Sequence, residues 1–491
     1  MARTNFWKCA DAPRARRWHT SALACIALAA LWLPPAAAAG EHWRLVFRVS
    51  ETKTTYPSDP PPGSGGESGR SKAKREDRKP TVEEREYTWT VELGSDYHVL
   101  TADEGREIYD FRAGRAFMRS GTAQELSDHN LHALVAFRVN ELQNRVSLGA
   151  MFRAVGVKDA RVSFDAFDSE SLFGLQIPGV GTLDSPKAQP ACKLRKGRQG
   201  LTEFVREGRV VAAYRHGTLA VPEEWRRPWE RFLVYACSVH PSVRETLMKD
   251  GRIPQRLEYS AINTFQRSDY VVDFVSAEIG EERRPAERIA GEICRSPVPS
   301  KRLRDILARL PDSTAPSRQA AVEFADRAIH EGRAIDAMLA LVEHTLQSGE
   351  SMADEIRARV DVFNHDDRCR QYFSSGDQSS REACEQSEKG YAAIDRTALE
   401  KAYVIDIMRA NALTGLNRLD EAEAFFLAAL EANPFIGGVY NDLGGLYYGS
   451  YDMSAAWVCW DTARRLYPGH KMLEGVTDLE QRLQKDFPIF Y

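Results

Sequence analysis

The densest group of possible metal ligands in this chain is His365, Asp366, Asp367, Cys369 and Cys384, a mix of imidazole, carboxylate and thiolate donors of the kind zinc accepts. Asp128, His129 and His132 offer a smaller set, with the two imidazoles three residues apart and no third ligand evident nearby. Both groups have plainer readings. A disulfide loop beside a solvated acidic helix end accounts for the first, and surface and capping roles account for the second. Ser50-Glu51-Thr52-Lys53 has the Ser-x-x-Lys spacing that penicillin-recognising enzymes use, but neither Lys-Thr-Gly nor Ser-Asp-Asn accompanies it. Asp165, Asp168 and Glu170 could pair as general acid and base, although carboxylates near a chain reversal are ordinarily just solvated. There is no Gly-x-Ser-x-Gly elbow, no His-Glu-x-x-His and no phosphate-binding loop. The motifs therefore name no catalytic residue, no metal and no cofactor.

Charge narrows the partners. The chain has 491 residues and a net charge of -4, with Arg outnumbering Lys in a way that fits a GC-rich bacterial genome. The first 39 residues hold five basic residues and one acid, leaving 61 basic and 69 acidic residues in the remainder. A mildly acidic product lacks the basic face that nucleic-acid binding needs.

That first segment has the layout of a signal peptide. Arg3, Lys8, Arg14, Arg16 and Arg17 precede an apolar stretch, Ser21 to Leu33, which ends at Pro34-Pro35. Ala37 and Ala39 satisfy the small-x-small rule, so cleavage is expected after Ala39. The apolar stretch is short for the roughly 20 residues of a membrane span. The expected product is periplasmic or secreted, with no transmembrane anchor in the mature chain. Its six cysteines are Cys192, Cys237, Cys294, Cys369, Cys384 and Cys459. In an oxidising compartment, Cys369 and Cys384 are expected to close a disulfide across the polar loop Ser374 to Asp377, while the other pairings stay open.

The elements that must position these residues begin with strands. Trp43, Leu45, Phe47 and Val49 alternate with polar positions, and Tyr87, Trp89, Val91 and Leu93 do the same, the mark of strands with one buried face. Residues 56–80 between them are rich in Pro, Gly, Ser and charge, and are expected to form a disordered insertion on a hairpin. Strands near 97–101, 107–112 and 115–119 complete an antiparallel meander. A helix follows, capped by Ser127 and running towards Gly156, to cover the aromatic stripes. Residues 40–180 thus read as an antiparallel α+β domain.

Residues 181–299 read as a second α+β region, with strands near 202–206, 209–215, 218–221, 254–265 and 269–279 around helices near 224–250. Whether the two stretches make one domain or two stays open. Trp225, Trp229 and Phe232 mark a helix packing face, with Arg226, Arg227 and Arg231 on its wet side.

From 300 to 491 the periodicity is helical. Ala422, Phe426, Ala429 and Pro434 recur 34 residues later as Ala456, Trp460, Ala463 and Pro468, and the second copy adds Tyr440, Leu443, Gly444 and Tyr447. These offsets resemble the tetratricopeptide repeat, a 34-residue helix pair. The likeness is strong over 403–468, with a degenerate copy near 318–351. In that family the first helix of each pair lines a concave groove. The resemblance therefore implies a surface of Val404, Ile407, Asn411, Thr414, Asn441, Gly445 and Tyr448, suited to an extended segment or helix of another protein. The expected function is a non-enzymatic protein-protein interaction module of the bacterial cell envelope. The alternative is an envelope hydrolase or transferase whose active site, somewhere in residues 40–300, no motif reveals.

Overall fold

The computed structural model describes residues 41–56, 80–103, 105–121, 123–155, 165–177, 192–263, 266–281, 284–310 and 317–491. The expected signal peptide and all of the 56–80 insertion but its two end residues lie outside the described residues. The architecture is α+β, an antiparallel sheet region followed by an all-helical one. The first region contains β1 (Glu41–Thr55), β2 (Thr81–Leu93), β3 (Tyr97–Ala102), β4 (Gly105–Asp110), β5 (Arg115–Ser120) and β6 (Glu125–Asn130). Helices α1 (Leu131–Ala154) and α2 (Ala166–Phe173) follow, then β7 (Lys193–Lys196), β8 (Thr202–Arg206) and β9 (Arg209–Arg215). Next come α3 (Arg226–Ala236), α4 (Pro241–Asp250), β10 (Arg256–Asn263), β11 (Gln266–Glu281), α5 (Pro285–Arg288) and β12 (Ile293–Arg295).

Among the described residues these strands form one sheet, in the order β12-β6-β5-β4-β3-β2-β1-β11-β10-β9-β8-β7. β11 pairs with β1 along its whole length, from Glu41↔Glu281 to Thr55↔Gln266. The stretches 40–180 and 181–299 therefore share a single sheet. Every pairing is antiparallel except that of β12, which joins β6 in parallel over three residues.

Alternation along β1 and β2 buries one face as expected. Phe47 stands opposite Trp89 and Leu45 opposite Val91, and all four are buried. The helix over them is α3, not the expected α1. Phe47 lies 6.2 Å from the rings of both Trp229 and Phe232. α1 instead shares a core with Tyr109 and Ala116 of β4 and β5. Its start also differs from the expectation, because Ser127 lies inside β6 and pairs with Met118. The cap is Asn130, whose Oδ1 accepts the His132 backbone N–H at 2.9 Å. Arg231, expected in water, is buried with its guanidinium 4.0 Å above the Phe111 ring. Burial, helped by the charge of Arg227, lowers its pKa to about 10.

The helical region contains α6 (Lys301–Leu307), α7 (Arg318–His330), α8 (Ala334–Ser348), α9 (Ala353–Ala358), α10 (Val360–His365), α11 (Asp367–Ser374) and α12 (Arg381–Ala392). It continues with α13 (Ala402–Gly415), α14 (Leu419–Ala432), α15 (Gly437–Gly449), α16 (Met453–Leu466) and α17 (Glu474–Asp486). The pairs α7/α8, α13/α14 and α15/α16 turn alike. Gly332, Asn417 and Tyr451 each adopt positive φ, at 73°, 63° and 67°. The next residue's N–H then bonds back five positions, from Arg333 to Ala328, Arg418 to Leu413 and Asp452 to Tyr447. These are the six-to-one bonds of a Schellman turn, which reverses the chain with few orphan carbonyls.

Ala422, Phe426, Ala429, Ala456, Trp460 and Ala463 are all buried where helices meet. α8 is tied to the later pairs through Glu343, a buried carboxylate that accepts from Lys401, Tyr403 and, at 2.6 Å, Asn433. The expected Cys369–Cys384 disulfide is not formed, and both thiols are free. Cys369 is buried in a core with Tyr372 and Tyr391. Cys384 points instead at α13, so close that a Cβ on Gly415 would lie 2.5 Å from its sulfur.

The two regions meet on α1, β6 and α3. Arg115 bridges Asp128 at 2.8 Å and Asp461 of α16 at 3.0 Å. Asn130 donates to the same Asp461 carboxylate, and His129 Nδ1 lies 3.1 Å from Ser454 Oγ. The His132 ring packs 4.9 Å from Tyr491, and the Tyr235 hydroxyl donates to the Phe490 carbonyl at 2.8 Å. Both histidines of the candidate metal set are thus part of the joint.

Candidate functional site

Each of the three candidate acid–base carboxylates has a basic neighbour. Asp165 caps α2 and bonds Arg206 at 2.6 Å, and Asp168 bonds Arg209 at 2.6 Å. Glu170 Oε2 lies 2.8 Å from His240 Nε2, and His240 Nδ1 lies 2.7 Å from Ser242 Oγ. The thiol of Cys192 hydrogen-bonds Ser242 in turn, while burial pushes its pKa up. This carboxylate–imidazole–hydroxyl chain has the connectivity of a nucleophilic triad. No motif signals it, because Glu170 lies 70 residues from His240. Its geometry serves a helix start. His240 Nδ1 accepts the Ser242 backbone N–H, and the His240 carbonyl accepts those of Val243 and Arg244. The first N–H groups of α4 are therefore engaged, leaving none of them to stabilise an oxyanion. His240 is itself buried and stacked 4.0 Å from Phe167.

The remaining chemical candidates also find local uses. Ser50 and Lys53 are three residues apart on a strand, so they project from opposite faces of β1. Asp366 caps α11 by accepting the N–H groups of Arg368 and Cys369 at 2.8 and 3.0 Å, and His365 Nδ1 lies 2.5 Å from the Asp361 carbonyl.

The repeat face is largely occupied by the chain itself. Val404 and Ile407 have no exposed surface, Val404 being enclosed with Ile335 and Met338 of α8. Asn411 of α13 and Asn441 of α15 both hydrogen-bond the carboxyl of Asp442, whose pKa burial raises to about 6. Thr414 bonds back to the Ala410 carbonyl, and the Tyr448 hydroxyl accepts from Asn140 of α1 at 3.1 Å. Of the seven expected residues only Gly445 is exposed.

A larger opening lies at the joint. A cleft of about 730 Å³ is bounded by Arg115 and Asp128 of the sheet, by Cys294 and Arg295 of β12, by α6 and by α16. Its charged lining is asymmetric in its commitments. Arg115 is held by two aspartates, Lys301 pairs with Asp305 at 2.6 Å and Arg295 with Glu125 at 2.8 Å. Arg304 and Arg465 have no carboxylate partner among the described residues, and both are exposed. Sequence periodicity could not assemble this cleft, because it draws on segments more than 300 residues apart.

No protein-family model and no curated protein matches the chain. Among solved structures, one of lipovitellin and its lipid–protein interactions aligns over 91% of this chain and 49% of its own, at 10% identity and a TM-score of 0.17. The chain thus spans about half the length of that structure, and no shared fold follows from a superposition at that score.

Proposed function

We propose that this chain is an exported, non-enzymatic protein of the bacterial cell envelope that holds another polypeptide in the junction cleft, with its helical region built from tetratricopeptide-type pairs. The cleft carries the reading. It is framed by both regions, it is large enough for a chain segment, and it presents two guanidinium groups without carboxylates. Engagement of the repeat-face residues by α1, α8 and Asp442 favours the cleft over the face that the resemblance implies. Export is supported by the basic, apolar and small-residue succession in residues 1–39. The repeat assignment is supported by the recurring small and aromatic positions, their burial and the shared turn.

The test compares three forms of the exported protein in capture experiments from envelope extract. Arg304→Ala with Arg465→Ala alters the cleft alone, whereas Gly445→Trp fills the repeat face at a position where a Cβ meets nothing within 4 Å. Loss of a partner only in the arginine variant is expected. Loss only in Gly445→Trp would return function to the repeat face, and turnover of an envelope substrate by the wild type would restore the enzyme alternative.

A further inference from the structure

The cleft is bordered by a sheet edge. β12 is the last strand of its side, its three residues are all exposed, and its outer edge has no backbone partner among the described residues. An edge of this kind offers N–H and C=O groups to an added strand. Cys294 and Arg295 of that edge line the same cleft as Arg304 and Arg465. The cations beside the edge decide what can be added. A second copy of this chain would bring its own arginines and be repelled, whereas an acidic strand would meet the two uncommitted guanidinium groups. The neighbouring pairs Arg295–Glu125 and Lys301–Asp305 are solvent-exposed, so little holds them against exchange with an incoming carboxylate.

We propose that the cleft takes an extended acidic segment of a partner protein, added as a strand along β12 with its carboxylates on Arg304 and Arg465. This rests on the reading of the cleft as the docking site and goes further by naming the form and charge of what docks. Cys294 provides a reporter within the site, since its exposed thiol would be covered.

The probe is an acetylated octapeptide of alternating valine and glutamate, titrated into the full-length exported protein by calorimetry while iodoacetamide labelling of Cys294 is followed by peptide mapping. Binding below about 1 mM is expected, with slower labelling of Cys294, weakening at high salt, and a loss of about tenfold or more in Arg304→Gln with Arg465→Gln. Two N-methylated versions, blocking either the valine or the glutamate amides, test strand addition, because one of the two must lose its edge bonds. Equal binding by both, equal binding by a valine–lysine octapeptide, or binding of inorganic phosphate without the acidic peptide would overturn the proposal. So would absence of binding. If the arginine pair were nonetheless needed for partner capture, the docking cleft would stand and only strand addition would fall.

Discussion

Two neighbouring glycines of α15 show how position decides the meaning of a residue type. A Cβ on Gly444 would lie 2.2 Å from Trp460 Nε1, while one on Gly445 would meet nothing within 4 Å. Gly444→Ala should cost about 1–3 kcal/mol by overpacking. Gly445→Ala should gain roughly 0.5–1 kcal/mol, because alanine is the better residue in an open helix interior. Urea denaturation of both variants checks the opposite signs, and equal effects would mean that Trp460 does not lie against Gly444. Asp442 gives a second residue-scale test. Its folded pKa, near 6, exceeds the usual 3.8, so the folded state binds its proton more tightly than the unfolded state. Stability from this group is full below the unfolded pKa and is lost as pH rises through the folded one. Asp442→Asn should therefore gain on the order of 1 kcal/mol at pH 4.5 and about 3 kcal/mol at pH 7.5. A pH-independent gain would place the carboxyl in water. The small and aromatic packing positions were legible at this scale because their spacing is local. The roles of Asp442, His240 and Arg231 were not, since each depends on a partner from another element.

At the scale of elements, strand alternation and helical periodicity located most segments, and the errors share a cause. Leu126 and Leu131 suit a strand followed by a helix as well as a single helix, and only pairing with β5 draws Ser127 into β6. Aromatic stripes on β1 and β2 required a cover, but alternation does not say which helix supplies it. Two of the three shared turns fall on Gly332 and Asn417, residues that tolerate positive φ. Tyr451 holds the same conformation, at φ 67°, without that tolerance. It is also 47% exposed, so little packing would be lost with its ring. Tyr451→Gly should raise stability by about 0.5–1 kcal/mol, the relief of the left-handed strain less the added freedom of the unfolded chain. A melting temperature lowered by the substitution would show that the ring packs in a way its exposure does not suggest.

For the whole molecule, the division into a sheet region and a helical region was readable from the change of period near residue 300. The closure of the sheet was not, because β1 and β11 are separated by more than 200 residues and pair through backbone groups that carry no sequence code. Nor was the joint. Asp461 is its polar centre, accepting from Arg115, Asn130 and Arg464 at 3.0, 3.0 and 3.3 Å. The surrounding apolar packing is continuous, with Tyr109, Val135, Leu303, Tyr440 and Trp457 in one core. A core shared in this way couples the two regions, so β4, which contributes Tyr109, and α15 should exchange their amide hydrogens through a common opening. Asp461→Ala would leave Arg115 with Asp128 alone and deprive the Asn130 amide of its acceptor. The expected cost is about 1–3 kcal/mol, and native-state hydrogen exchange should register it as an equal loss of protection in peptides from 105–110 and from 437–449. Loss confined to the helical peptides would mean that the regions open independently. The cleft between them could then widen without unfolding the sheet, and a docked segment would be released by opening of the joint instead of by dissociation from a fixed site.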